Sequence, residues 1–148
     1  MSCPVWIPAN LASHLKRFCL QEGCKVNASL GVPHYIIDVE ELADAANYSG
    51  KRCDYSVLAQ RFTILVEIKC GSISASVLEK AEEQLRCGKD FLNRYRTAPT
   101  KGRIVAGKKI DPIVNQYLLM HPKKNLTVMQ TGLKHVTIQG IQFDLQFC

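Results

Sequence analysis

Three charged residues stand at the ends of two apolar segments, and their types suit chemistry on negatively charged oxygen. Glu67 and Lys69 close the segment 62–69, and Asp54 opens the segment 53–59 that precedes it. Side chains alternate along a β-strand, so Glu67 and Lys69 share one face. Paired carboxylates can hold a hard cation such as Mg²⁺, and a nearby ammonium can stabilise charge that develops on oxygen.

The pairing of these two segments decides whether the acids meet. If Gln60 and Arg61 form a two-residue turn, paired positions sum to 121 and Asp54 lies across from Glu67. Opposed side chains have Cβ atoms about 5 Å apart, so the carboxylates repel each other unless a cation lies between them. Lys69 supplies one positive charge. The alternative is a structural Glu67–Lys69 pair at a strand end, which stabilises by about 1 kcal/mol or less.

The hydrophobic pattern predicts a mixed α/β domain. A first helix is expected over 8–23, because Leu11, Leu15, Phe18 and Glu22 fall on one helical face. Five strands are predicted at 34–39, 53–59, 62–69, 103–107 and 126–131, with a polar loop over 40–52. Two further strands form a hairpin around Gly140.

Two more helices carry clear start signals. Ser76-x-x-Glu79 has capping-box form and opens a long helix. Its buried stripe is predicted to comprise Leu78, Ala81, Leu85, Gly88, Leu92 and Tyr95. Asp111 followed by Pro112 is typical of an N-cap with proline at N1, so a short helix to Met120 is expected.

In this order of elements, Asp54 followed by Glu67-Ile68-Lys69 resembles the PD-(D/E)xK nuclease superfamily, which includes archaeal Holliday-junction resolvases and RecB-like nucleases. The resemblance covers about residues 10–107. It implies a restriction-endonuclease-like αβββαβ core with a mixed sheet, within one domain over 1–148. Residues 108–148 would add an αβ unit and a β-hairpin. Cys53 stands where the motif's proline would be.

The resemblance also implies roles. The catalytic set would be Asp54, Glu67, Lys69 and Gln84, with Gln84 contributed by the long helix. Mg²⁺ or Mn²⁺ would be bound by Asp54, Glu67, the Ile68 carbonyl and a first-helix acid. Glu22 is the candidate for that acid, and His14 is the second candidate. The implied activity is hydrolysis of nucleic-acid phosphodiester bonds, with DNA the expected substrate and a homodimer the family's arrangement.

Charge is distributed in favour of an anionic partner. The net charge is +6, and the stretch 80–103 holds seven basic residues against three acidic ones. Nucleic-acid contacts are therefore predicted at Arg86, Lys89, Arg94, Arg96, Lys101 and Arg103. The alternative is a solvated helix face, because Glu82–Arg86 and Asp90–Arg94 are favourable (i, i+4) pairs.

The remaining composition narrows the class. The seven cysteines include no C-x-x-C, which argues against a zinc or iron–sulfur cluster and favours buried thiols; paired disulfides are the alternative. No apolar run approaches the ~20 residues of a membrane span, and no secretory signal is evident, so a cytoplasmic protein is expected. Two other classes stay open: a nucleic-acid-binding module that does not cleave, and a dimerising interaction protein joined through residues 135–147.

Overall fold

The computed structural model describes residues 6–12, 15–16, 18–21, 24–29, 32–69, 71–106, 109–121, 126–130, 135–138 and 141–146. The elements found there are, in chain order, α1 (Ala9–Ala12), β1 (Leu15–Lys16), β2 (Phe18–Gln21), β3 (Cys24–Ser29), β4 (His34–Asp38), α2 (Val39–Ala45), β5 (Tyr55–Ala59), β6 (Thr63–Lys69), α3 (Ala75–Leu92), β7 (Thr100–Ala106), α4 (Pro112–Met120), β8 (Leu126–Gln130), β9 (His135–Ile138) and β10 (Ile141–Gln146).

The strands form two sheets, and the α/β class predicted from the sequence is confirmed. The larger sheet has the order β1-β4-β5-β6-β7-β8. Its strands are antiparallel as far as β6, whereas β6, β7 and β8 run parallel to one another. A parallel pair needs a crossover connection, and α3 supplies it between β6 and β7. The smaller sheet, β2-β3-β10-β9, is antiparallel and joins the predicted C-terminal hairpin to strands near the N-terminus.

The β5–β6 hairpin has the predicted register. Tyr55 pairs with Val66 and Leu58 with Thr63, so paired positions sum to 121. The Ala59 N–H donates to the Phe62 carbonyl at 3.0 Å, which closes the two-residue turn. Strand β6 lies between β5 and β7. Its residues from Thr63 to Glu67 are buried on both faces of the sheet.

Helix α3 packs its apolar stripe on the face of the sheet that carries Leu65. The stripe comprises Leu78, Ala81, Leu85, Gly88, Phe91 and Leu92, close to the prediction, whereas Tyr95 is only partly buried and follows the helix. The capping residue differs from the prediction. Ser74, not Ser76, accepts the Val77 N–H at 3.4 Å, so the helix begins at Ala75.

Gly88 sets how closely α3 approaches the start of β5. A Cβ atom at Gly88 would lie 2.6 Å from the Cys53 sulfur and 3.0 Å from the Cys53 backbone nitrogen. Contacts this short force backbone or helix to move, so only glycine permits the observed packing. The helix therefore passes directly over the residue that precedes Asp54.

The predicted first helix is wrong beyond Ala12. Helix α1 spans only Ala9–Ala12, and Leu15 and Phe18 lie in strands β1 and β2, so these two residues do not share a helical face. The apolar spacing fits a helix, but β3 pairs with β2 on one side and with the distant β10 on the other. That non-local partner overrides local periodicity. Glu22 and His14 lie outside the described residues.

The predicted loop after β4 contains helix α2. Asp38 caps it by accepting the Glu41 N–H at 3.0 Å, and Val39, Leu42 and Ala43 are buried. It ends in a Schellman motif with Asn47 in the left-handed region, where the Tyr48 N–H donates to the Ala43 carbonyl. Helix α4 begins as predicted, with Asp111 as N-cap and Pro112 at N1.

Candidate active site

Asp54 is held by its backbone and by its side chain at the start of β5. Its N–H donates to the Val66 carbonyl at 3.1 Å, and its carbonyl accepts the Val39 N–H at 3.1 Å. The carboxylate Oδ2 accepts the Ile68 N–H at 2.7 Å. These three bonds tie the residue to β6 and to the start of α2. These bonds therefore fix the position of the carboxylate.

Glu67 is buried beside Asp54. The residue is 1% exposed, and the negative charge of Asp54 acts on its carboxyl. Burial and the negative charge of Asp54 raise the pKa of Glu67 to about 8, although Lys69 acts in the opposite direction. The Oε1 atom has no hydrogen-bond partner among the described residues. A buried carboxyl oxygen without a partner is costly, and a cation would relieve that cost.

Lys69 is held between a strand acid and a helix amide. Its Nζ lies 3.0 Å from Glu67 Oε2 and donates to Gln84 Oε1 at 2.8 Å. Gln84 reaches it from the near edge of the buried stripe of α3, as predicted from the sequence. The structure thus brings together Asp54, Glu67, Lys69 and Gln84, and the predicted common face of Glu67 and Lys69 is confirmed by their contact.

Asp54 and Lys69 line a cavity of about 500 Å³ between the loop 50–53 and α3. We call it the carboxylate cavity; its charged and amide lining residues are Glu40, Lys51, Arg52, Asp54, Lys69, Lys80, Glu83 and Gln84. No role was predicted from the sequence for Lys51, Arg52 or Lys80. Two signals were present in the sequence. Lys51 and Arg52 directly precede Cys53-Asp54, and Lys80 lies one helical turn before Gln84.

The donor set fits a hard divalent cation in type. Asp54 and Glu67 offer carboxylate oxygens, and the Ile68 carbonyl is the third oxygen implied by the resemblance, which suits Mg²⁺ or Mn²⁺. The unpartnered Glu67 Oε1 is the structural observation that favours such an ion. Within the described residues, no group of three or more His, Cys, Asp or Glu side chains is placed to hold a metal. Glu22, the further ligand predicted, falls outside them.

The predicted nucleic-acid contacts do not form one surface. Arg86 and Lys89 lie on the side of α3 away from Gln84, where they line a separate cavity with Leu65, Gly102 and Leu126. We call Lys80 and Gln84 the near flank of α3, and Glu79, Glu82, Arg86 and Lys89 its far flank. Glu83 lines both cavities. The basic residues that the stretch 80–103 places on α3 are thus divided between its two flanks.

Two of the predicted contact residues have structural partners instead. Arg103 is 0% exposed and donates from Nη1 to the Gly102 carbonyl, and burial lowers its pKa. A buried side chain cannot grip a phosphate from solution, so that prediction is wrong. Arg96 donates to the Gln60 carbonyl and lies over the Trp6 ring at 5.1 Å. Arg103 lies on β7, which is enclosed between β6 and β8. The number of charged residues in the sequence does not reveal that burial.

Arg94 and Lys101 contact aromatic rings. The Arg94 guanidinium lies 5.0 Å from the centroid of Tyr48, which itself stacks on Phe91 of α3. Lys101 Nζ lies 5.9 Å from the ring centroid of Phe62. Neither residue lines the carboxylate cavity. Their roles in nucleic-acid binding stay predictions.

Comparisons of the chain with protein-family models, with curated protein sequences and with solved structures find no match in any of the three. The functional argument therefore depends on the geometry of Asp54, Glu67, Lys69 and Gln84. No helix in the described part of the chain combines the length and the apolarity needed to cross a bilayer.

Proposed function

We propose that this protein is a divalent-metal-dependent nuclease that hydrolyses phosphodiester bonds, with DNA as the substrate. One observation carries the proposal. The Asp54 carboxylate at the start of β5 accepts the Ile68 N–H of β6, between Glu67 and Lys69, and the Lys69 amine is held by the Glu67 carboxyl and by the Gln84 amide. A merely structural Glu–Lys pair needs neither a second acid nor an amide from another element.

The arrangement of strands supports the same function. Strands β4, β5 and β6 are antiparallel in sequence order, β7 is parallel to β6, and α3 lies between them along the chain. This is the strand order that the resemblance to PD-(D/E)xK nucleases implies for their core. Asp54 stands at the start of its second strand, while Glu67 and Lys69 end its third.

Each residue of the set has a definable task. Asp54, Glu67 and the Ile68 carbonyl would hold Mg²⁺ or Mn²⁺. When bound, the ion would act as a Lewis acid toward a phosphate oxygen and lower the pKa of a water molecule. Lys69 Nζ would donate hydrogen bonds to that water and to the phosphoryl oxygens as negative charge grows on them. Gln84 Oε1 accepts a hydrogen bond from Lys69 Nζ and thereby fixes the direction of the amine.

A nucleic-acid-binding protein that does not cleave is the second candidate. The observation that favours it is the donor count, because no group of three or more His, Cys, Asp or Glu side chains in the described part of the chain is placed to hold a metal ion. Such a protein would bind DNA with strong salt dependence yet leave it intact in Mg²⁺ or Mn²⁺. Cleavage assays separate the two candidates directly.

The test is cleavage of a panel of linear, single-stranded and branched DNAs, with RNA included, in Mg²⁺ and in Mn²⁺. We expect metal-dependent cleavage that is lost in EDTA and falls by roughly a thousandfold in Asp54→Asn, Glu67→Gln and Lys69→Gln. The matched control is Asp90→Asn, an exposed acid of α3 outside the cavity, which should cut as fast as the wild type. Wild-type rates in all three variants would refute the assignment.

A second readout does not depend on cleavage. A ligand that binds only the folded state raises the melting temperature, because it contributes about 2.7 kcal/mol at a hundredfold excess over its Kd. We expect Mn²⁺ to raise the melting temperature of the wild type and of Asp90→Asn. The shift should disappear in Glu67→Gln, because a neutral amide cannot replace the carboxylate as a ligand.

A further inference from the structure

We propose that the carboxylate cavity contains a phosphate-binding subsite in which Lys51, from the loop, and Lys80, from α3, contact the nucleic-acid backbone beside the bond that is cut. This inference rests on the proposed function and states how its substrate is held. It places the substrate backbone between the loop and the near flank of α3, not on the far flank.

Lys51 carries a charge that a phosphate can recruit. Its Nζ pairs with Glu83 Oε2 at 3.0 Å, across the opening between the loop and α3. The pair is solvent-exposed, since 63% of the Lys51 side chain and 41% of the Glu83 side chain are accessible. Exposed pairs of this kind contribute little to stability, so a phosphate oxygen can replace Glu83 as the partner of Lys51.

Lys80 faces the same cavity from the opposite wall. It lies four residues before Gln84, and residues at this spacing share one side of a helix. The side chain is exposed and makes no hydrogen bond or ion pair with any described residue. An unpaired ammonium one helical turn from the amide that orients Lys69 is placed to bind a phosphate next to the scissile one.

Arg52 lines the same cavity but is already committed. Its guanidinium donates to the Tyr48 carbonyl at 2.7 Å and pairs with Glu40 and Asp44 at 3.4 and 3.3 Å. Those partners fasten the loop to α2 and neutralise the charge. Arg52 therefore positions the loop that carries Lys51, and it is not assigned to the phosphate.

The cavity has the size and the polarity that this ligand requires. Its volume of about 500 Å³ falls within the range of roughly 300–1,000 Å³ that is usual for small-molecule and cofactor sites. Lys51 and Lys80 line the cavity from the loop and from α3, and Asp54 and Lys69 line it where the phosphodiester bond would be cut. A charged chain that enters here meets a cation on each wall.

The test compares two double variants that remove the same charge. Binding of fluorescein-labelled single-stranded and duplex DNA is measured by anisotropy in EDTA, where no metal is present for cleavage, between 50 and 200 mM salt (about the range over which such contacts are sensitive). We expect Lys51→Gln with Lys80→Gln to weaken binding about tenfold. The slope of log K against log salt should fall by roughly one to two, as expected for two lost phosphate contacts.

The matched control is Arg61→Gln with Lys109→Gln, two exposed cations that line neither cavity, and it should change affinity by less than about twofold. Glu83→Gln should tighten binding by a few-fold, because it frees Lys51 and removes a negative charge from the path of the phosphate. Equal weakening by both double variants would overturn the subsite, since it would indicate a general charge attraction.

Failure of this inference is distinguishable from failure of the proposed function. Metal-dependent cleavage with unchanged binding in the Lys51/Lys80 variant would overturn the subsite and leave the nuclease standing. Binding that depends on Lys51 and Lys80 without any cleavage would leave the subsite and favour the non-cleaving protein. No binding by the wild type at any salt would overturn the subsite, while the cleavage panel still decides the activity.

Discussion

Both flanks of α3 carry basic residues, but the two flanks pack over different parts of the sheet. The near flank faces Asp54 and Lys69, where backbone hydrogen bonds hold Asp54 and the buried Glu67 carboxyl pairs with Lys69. The far flank faces Leu65, Gly102 and Leu126, an apolar surface with exposed Arg86 and Lys89 above it. This difference is the reason why Lys80, and not Arg86 or Lys89, is included in the proposed phosphate-binding subsite.

The largest expected effect on stability concerns Glu67, and it depends on pH. The pKa of Glu67 is raised to about 8 in the folded protein from an ordinary value near 4.5. Between these values the folded state keeps a proton that the unfolded state releases, so stability falls as pH rises from about 4.5 to about 8. Without metal, Glu67→Gln should become more stable than the wild type by roughly 2–3 kcal/mol at pH 9, and should match it near pH 4.5.

Urea denaturation in EDTA at pH 4.5–9 measures this difference. Glu79→Gln, on the far flank, is the matched control, and its stability should follow the wild type in parallel across the range. If the Glu67→Gln curve also ran parallel to the wild type, the burial of Glu67 beside Asp54 would not be the source of an elevated pKa.

The next effect compares two glycines, Gly88 in α3 against Cys53 and Gly102 in β7 beside the far-flank cavity. A Cβ at Gly88 meets the Cys53 sulfur and backbone, whereas one at Gly102 meets only side-chain ends of Leu126 and Leu85 at 2.9 and 3.2 Å. Side-chain ends move cheaply and backbone does not. Gly88→Ala should therefore lower the free energy of unfolding by roughly 1–3 kcal/mol despite its better helix propensity, and Gly102→Ala by about 1 kcal/mol or less.

Thermal or urea unfolding of the two variants tests that comparison. The addition of Cys53→Ala should restore part of the stability of Gly88→Ala, because it removes the 2.6 Å contact and leaves the 3.0 Å approach to the backbone nitrogen. Equal losses at Gly88 and Gly102, with no rescue, would show that α3 does not rest closely on Cys53.

The smallest effect concerns Gln84 as a positioning residue. Gln84→Leu removes the acceptor that orients Lys69 and should lower kcat about tenfold with KM little changed, since DNA contacts stay intact. Gln84→Glu keeps an acceptor oxygen and should recover much of the rate. Arg86→Leu, the same replacement on the far flank, should leave kcat unchanged. A change confined to KM in Gln84→Leu would assign it to substrate binding instead.

Local rules were sufficient for the hairpin that carries the acids. Strand alternation and a two-residue turn predicted the register of β5 and β6, and Tyr55 pairs with Val66 as that register requires. Helix α2 was predictable but missed, because Asp38 followed by Glu41 is a capping pattern with buried Val39, Leu42 and Ala43 at helical spacing. The polar residues in that segment concealed the pattern.

Non-local structure limited the rest. Strand β2, inside the predicted first helix, pairs with β3, and β3 pairs with β10 more than a hundred residues away, so the helical periodicity of the segment was misleading. Arg103 was predicted to be a surface charge but is buried. The pattern of charged residues does not show whether a strand lies inside a sheet or at its edge. The cations that reach the carboxylate cavity, Lys51 and Lys80, come from two elements that only the packing of α3 brings together.

The β5–β6 turn also bears on how the chain assembles. Among the pairings described in the larger sheet, this one closes the shortest loop, so we expect its entropy cost to be the smallest, whereas the pairing of β6 with β7 closes a loop that contains α3. The two acids therefore approach each other before Gln84 can reach Lys69. Early in folding, only the Lys69 ammonium and protonation offset the repulsion between the two acids. We therefore expect the refolding rate to depend on pH.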